Sequence, residues 1–270
     1  MIGRGGIGGL VAVLVAALAA SGPAAAQASN CATPPALAAL GAPLTHTVAR
    51  LGAGGVLRII AMGSSSTAGF GASSAEMNYP DRLQQDLARR FPGIAVVVLN
   101  RGIGGQDVGE ELARLGRDVI AAHPDLVIWQ LGTNAVLRRD DFAADAAMTR
   151  YGVAEVKKSG SDVVLMDLQY APRVLARPSY RKMERLIADT ARDLRVGLFR
   201  RFAIMARWAE TDQLAPRAMI APDGLHMTDA SYGCLAATLA ETIAWNAWRQ
   251  TPRAPLPSHG ALARRSAARR

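Results

Sequence analysis

Five short apolar runs, separated by segments with helical patterning, constrain the fold of this chain more than any other feature. The runs are Val56–Met62, in which Arg58 is the only charge, then Ile94–Leu99, Leu126–Leu131, Val163–Asp167 and a shorter Val196–Phe199. Helical patterns lie near Pro80–Phe91, Val108–Ala122, Phe142–Lys158 and Tyr180–Leu194, and a last one covers about Asp229 to Arg249. Strands apolar on both faces have to be covered on both faces, and helices between them supply that cover. The pattern predicts an α/β fold, a three-layer α/β/α sandwich around a five-stranded parallel sheet, in one domain over 56–249 with no internal repeat.

Both ends differ from this body. Arg4, the apolar stretch Leu10 to Ala20 and the small residues Ala24, Ala25 and Ala26 read as a secretory signal peptide over 1–26, its apolar core too short to span a bilayer. A lipid anchor on Cys31 is the weaker alternative, because Ala28-Ser29-Asn30 lacks the aliphatic residue usual three places before a lipidated cysteine. The expectation is therefore a secreted or periplasmic protein with no stable membrane insertion after cleavage. Residues 27–55, rich in small residues and Pro, read as an arm or linker, and 250–270 as a disordered basic tail. The cysteines Cys31 and Cys234 are the only two, and export makes a bridge between arm and last helix the expectation, with two buried thiols as the alternative. Without clustered histidines they give no zinc signature, and no metal is predicted.

The formal charge of +9 does not point to nucleic acid, since Arg253, Arg264, Arg265, Arg269 and Arg270 all lie in the tail and no aromatic residues are interleaved with them. Chemistry is sought instead at the carboxyl ends of the strands, where open parallel sheets bind ligands. The first three runs end in "GSSSTAG", "NRGIGGQD" and "QLGTNA". The second resembles a dinucleotide fingerprint, but Asp107 stands where its last glycine belongs and it follows the wrong strand, so no nucleotide cofactor is expected.

A serine nucleophile needs a base and usually an acid that orients the base. His46 lies in the arm, His259 in the tail, and His123 on the amino side of the third strand, which leaves His226 in "PDGLHMTDASYG". Asp223 precedes it by three residues, close enough for a tight turn to place the carboxylate on one ring nitrogen. A turn-capping Asp beside a chance His is the alternative reading.

Taken together, "GSSSTAG", "NRGIGG", "GTN" and "DGLH" resemble, in order and spacing, the SGNH superfamily, also called GDSL esterases and lipases, over about Leu57 to Ala247. The resemblance implies the flavodoxin-like fold of that superfamily, with no cofactor. It also implies Ser65 as nucleophile, Asp223 and His226 as its triad partners, and an oxyanion hole from the Ser65 and Gly105 backbone amides with the Asn134 side chain. One position departs: Ser64 stands where the namesake motif has Asp. G-x-S-x-G is absent, with Thr67 at its last glycine, which disfavours an α/β-hydrolase.

The expected function is hydrolysis of short-acyl esters, acetyl above all, on a small molecule or glycan. A polysaccharide O-acetyltransferase and a non-catalytic carbohydrate-binding envelope protein are the alternatives. Ser66, Gln106, Gln169, Tyr170 and Arg173 are candidate substrate contacts, with a plain loop role as their alternative. The four tryptophans, Trp129, Trp208, Trp245 and Trp248, are expected to pack between helices and sheet. The pairs Asp140-Asp141 and Glu110-Glu111 are read as helix-start acids.

Overall fold

The computed structural model describes residues 31–138, 142–211 and 213–250. The signal-peptide and tail readings, Asp140-Asp141 and His259 lie outside the described residues. The sheet has five parallel strands in the order β2-β1-β3-β4-β5. They are β1 (Val56–Gly63), β2 (Ala95–Gly102), β3 (Leu126–Gln130), β4 (Asp162–Met166) and β5 (Gly197–Phe199). Strands β3 and β4 are buried at every position, as their unbroken apolar runs require.

Helices Tyr79–Arg90 and Asp229–Gln250 pack together on one face, and Val108–Ala113, Ala143–Lys158 and Tyr180–Leu194 cover the other. The amphipathic pattern explains the choice of face. In Tyr180–Leu194 the buried positions Tyr180, Met183, Ile187 and Ala191 recur at helical spacing, with charged residues between them. Tyr79–Arg90 starts where the Asn78 side chain accepts the Asp81 N–H at 2.8 Å.

Three expectations are corrected. The arm is not a linker: Thr45–Ala53 is helical, Leu40 and Leu44 are buried, and the Thr47 N–H and hydroxyl both donate to the Asp162 carboxylate at 2.8 Å. The helix expected over Val108–Ala122 breaks at Arg114, whose buried guanidinium reaches inward to the Gly63 carbonyl and the Gln106 side chain. Trp129 and Trp208 pack inside, but Trp245 and Trp248 stack on each other at the surface, on the solvent side of the last helix. Cys31 and Cys234 form the expected disulfide, tying the arm to that helix. Among the described residues no helix is long and apolar enough to cross a membrane.

Candidate active site

Strand β1 ends at Gly63, and a short helix, Ser65–Ala68, begins two residues later. Ser65 thus occupies the first helical position, where its backbone N–H has no intrahelical acceptor and points away from the helix. Its hydroxyl lies 2.8 Å from His226 Nε2. The other ring nitrogen, Nδ1, bonds to Asp223 Oδ2. With Nδ1–H donated to the carboxylate, Nε2 is the acceptor for the Ser65 proton.

The Asp223–His226 turn is built locally. The Gly224 N–H donates to the Ala221 carbonyl at 3.0 Å, and Ile220 and Met227 form an antiparallel bridge that closes the loop. Asp223 Oδ1 accepts the N–H groups of Leu225 and His226 at 2.9 and 3.0 Å, so both carboxylate oxygens are committed. Partial burial pushes the Asp223 carboxyl up, but the Leu225 N–H and the His226 ring and N–H outweigh it and hold the group below its ordinary range.

The loop after β2 lies against the Ser65 loop through shared groups. Gly63 O accepts the Ile103 N–H at 3.0 Å and Arg114 Nη2 at 3.2 Å. Asn134, on helix Thr133–Arg138, donates one amide hydrogen to the Gln106 carbonyl at 2.8 Å, and its second amide hydrogen has no acceptor among the described residues. Arg138, one turn along, donates to the Gly105 carbonyl at 2.5 Å. Gly105 has φ +84°, a left-handed conformation that a side chain would strain, and its N–H has no acceptor among the described residues.

Below the serines lies a polar network for which the sequence gives little signal. Gln130 Oε1, at the end of β3, accepts from the Ser64 N–H and hydroxyl at 3.0 Å each and from Ser66 Oγ at 3.1 Å. Arg201 is fully buried and donates to Ser66 Oγ, to Gln169 Oε1 and to the Asp167 carbonyl, each at 2.9 Å. Gln169 Oε1 also accepts the Thr133 hydroxyl at 2.8 Å.

This network corrects part of the substrate-contact reading. Ser66 and Gln169 are 1% exposed with their polar atoms committed, so they support the loops from beneath. The Gln106 side chain turns down to Arg114 Nε at 2.7 Å, and the residue meets the site through its backbone. Tyr170 leans edge-on against Phe202, partly buried. Arg173 is exposed beside the Asp223 turn, with its N–H on the Gly224 carbonyl at 3.0 Å. Gln130, the polar end of an apolar strand, carried a readable signal. Arg201 did not, since it follows Arg200 in what reads as a surface pair.

With this geometry in hand the comparisons decide the family. A family model described as the non-GDSL lipase-like family matches residues 30–249, most of the chain. The chain belongs to that family. The resemblance to SGNH/GDSL hydrolases read from four short motifs is thereby borne out, and the family's description suits a chain with Ser64 in the namesake position. Among curated proteins, an arylesterase of Vibrio mimicus is 30% identical over 115 residues, 43% of this chain and 56% of the relative. The match therefore spans little more than half of that relative's length.

Solved structures share the fold of this family member at lower identity. A two-domain esterase (CEX) active on acetylated mannans superposes with TM-score 0.65 at 22% identity, covering 82% of this chain and 58% of that one. A catalytic mutant of Axe2, an acetylxylan esterase from Geobacillus stearothermophilus, gives TM-score 0.60 at 23% identity, with 70% and 95% covered. TesA gives 0.59 at 23%, with 69% and 97% covered. Among the described residues no group of three or more His, Cys, Asp or Glu side chains is arranged to hold a metal ion.

Proposed function

We propose that this chain is an exported serine esterase that removes short acyl groups, acetyl above all, from ring-bearing alcohols such as sugars, through an acyl-enzyme on Ser65. The observation that carries the reading is the hydrogen-bonded line Ser65 Oγ, His226, Asp223, with 2.8 Å between the hydroxyl and Nε2. In the proposed reaction His226 takes the Ser65 proton as Oγ bonds to the ester carbon. The carbonyl oxygen gains charge between the Ser65 and Gly105 N–H groups and the Asn134 amide. His226 then passes the proton to the departing alkoxide, and water repeats the sequence to release the acid.

One feature favours a short acyl group. Helix Ser65–Ala68 is followed closely by the Ser74–Asn78 turn, with no apolar insertion that would cover a chain of methylenes. Each buried CH₂ contributes roughly 0.8 kcal/mol, and only where water is excluded. The relatives that act on acetylated mannans and acetylxylan make a carbohydrate ester the leading substrate class for this chain. Export is supported by the Cys31–Cys234 bridge, which persists in oxidising compartments.

Rates on p-nitrophenyl acetate, butyrate, octanoate and palmitate and on acetylated xylan and mannan, with Ser65→Ala as control, test the proposal. Acetate is expected to be fastest and the variant inactive. An optimum at octanoate or longer contradicts it.

A further inference from the structure

Phe70 is a large apolar side chain left 54% exposed beside Ser65 and His226. Its position is fixed from both sides of its backbone. The Phe70 N–H donates to the Ser65 carbonyl at 3.0 Å, and its carbonyl accepts the buried Tyr232 hydroxyl at 2.7 Å. The ring has two neighbours of functional interest. Its centroid is 5.5 Å from that of the His226 imidazole, tilted by 39°. Its tip covers Gly104, where an added Cβ would stand 2.9 Å from Cζ and 3.1 Å from Cε2. Phe70 therefore forms a wall from the oxyanion loop to the base, and glycine at 104 is what lets the ring lie there.

Of the two halves of an ester, the alcohol is the one that must lie beside this wall. In the reaction proposed above, on which this inference rests, the bond from Ser65 Oγ to the carbonyl carbon forms as the bond from that carbon to the alcohol oxygen breaks. The alcohol oxygen takes its proton from His226 Nε2. The group carried by that oxygen is thus held next to the imidazole, while the carbonyl oxygen faces Gly105 and Asn134. An aromatic face beside His226 gives the flat ring of a phenol, or the C–H face of a chair-shaped sugar ring, a surface to stack on and gives a flexible chain far less.

We infer that Phe70 is the leaving-group selector of this enzyme, preferring esters whose alcohol is a six-membered ring, phenol or sugar, over esters of linear alcohols. The acetyl-enzyme is the same whatever the alcohol, so deacetylation does not see this preference.

The test compares phenyl acetate, an acetylated xyloside and ethyl acetate on wild type, Phe70→Ala, Phe70→Leu and Phe70→Tyr. Phe70→Ala and Phe70→Leu are expected to lose about tenfold in kcat/KM on the ring esters while ethyl acetate changes less than twofold, and Phe70→Tyr is expected to keep the preference. A loss on only one ring ester also supports the inference and says which ring the wall serves. Equal losses on all three esters, or no change on any, overturn it. Fluorophosphonate labelling of Ser65 in each variant separates the two proposals. Labelling with no ring preference defeats only the role of Phe70, whereas wild-type protein that is not labelled defeats the esterase reading.

Discussion

Arg201 Nη1 donates to the Ser66 hydroxyl at 2.9 Å, so a fully buried guanidinium holds the residue next to Ser65. Burial drags this guanidinium down to about 10, against the pull of Asp167, and it still carries its charge at neutral pH. Its bonds tie the start of its own helix to two other segments, the one carrying Ser66 and the one carrying Asp167 and Gln169.

Replacing Arg201 by Leu strands acceptors on both of those segments. Losing one partner of a buried charged network costs about 3–5 kcal/mol, so urea unfolding of Arg201→Leu should shift by that order. Arg201→Lys, which keeps a charge and fewer donors, is expected to fall in between. An unchanged midpoint for Arg201→Leu would show that the network does not hold the loops.

Asn134 is expected to act mainly on the transition state. Removing one donor from an oxyanion hole costs on the order of 10²–10³ in kcat, so Asn134→Ala should lose that much with little change in KM. Arg138→Ala should cost far less, because the peptide it holds through the Gly105 carbonyl is also held by the Gln106 N–H on the Ile103 carbonyl. Steady-state kinetics on an acetyl ester separates the two.

The acid limb of the pH profile should follow one ionisation. His226 must be neutral to accept the Ser65 proton, and Asp223, held below the usual carboxylate range, is already ionised there. A log–log plot of kcat/KM against pH is expected to rise with a slope of about one between roughly pH 4 and the plateau. A slope of two would place a second titrating group in the mechanism.

Glu111 links pH to stability in the opposite sense from an exposed carboxylate. Burial raises its carboxyl to about 8, against the Trp129 Nε1–H, which donates to Oε2 at 2.7 Å. A carboxyl raised on folding favours the native state while protonated, and that contribution is lost as pH rises from its ordinary value through about 8. Glu111→Gln keeps an acceptor for Trp129 without the charge. Relative to wild type it should gain stability between pH 5 and pH 8, on the order of 3 kcal/mol. Parallel Tm curves would mean that Glu111 does not titrate in this window.

Much of this was legible in the chain, for identifiable reasons. All five strands were readable, each within two residues at its start: β1, β3, β4 and β5 are mostly buried on both faces and so written as apolar runs, and the edge strand β2, only partly buried, still carries one in Ile94–Leu99. The Asp223–His226 pair was readable because its contact is local, made within one turn. What escaped was non-local. Thr45–Ala53 has a sparse apolar pattern, and its place depends on Asp162, which is 115 residues from Thr47. Ser66 and Gln169 sit at loop positions that suit substrate contact, and distant partners turn them inward: Arg201, 135 residues from Ser66, binds both, with Gln130 on Ser66 and Thr133 on Gln169. Phe70 gave no signal as a single aromatic in a glycine-rich loop.

The central claim is that Ser65 is a nucleophile driven by His226, and covalent labelling tests it most directly. Wild-type protein treated with a fluorophosphonate and digested for mass spectrometry should carry the adduct on Ser65, with the rate of labelling falling by several orders of magnitude in His226→Ala. An adduct on Ser64 or Ser66, or undiminished labelling in the His226 variant, would contradict the account.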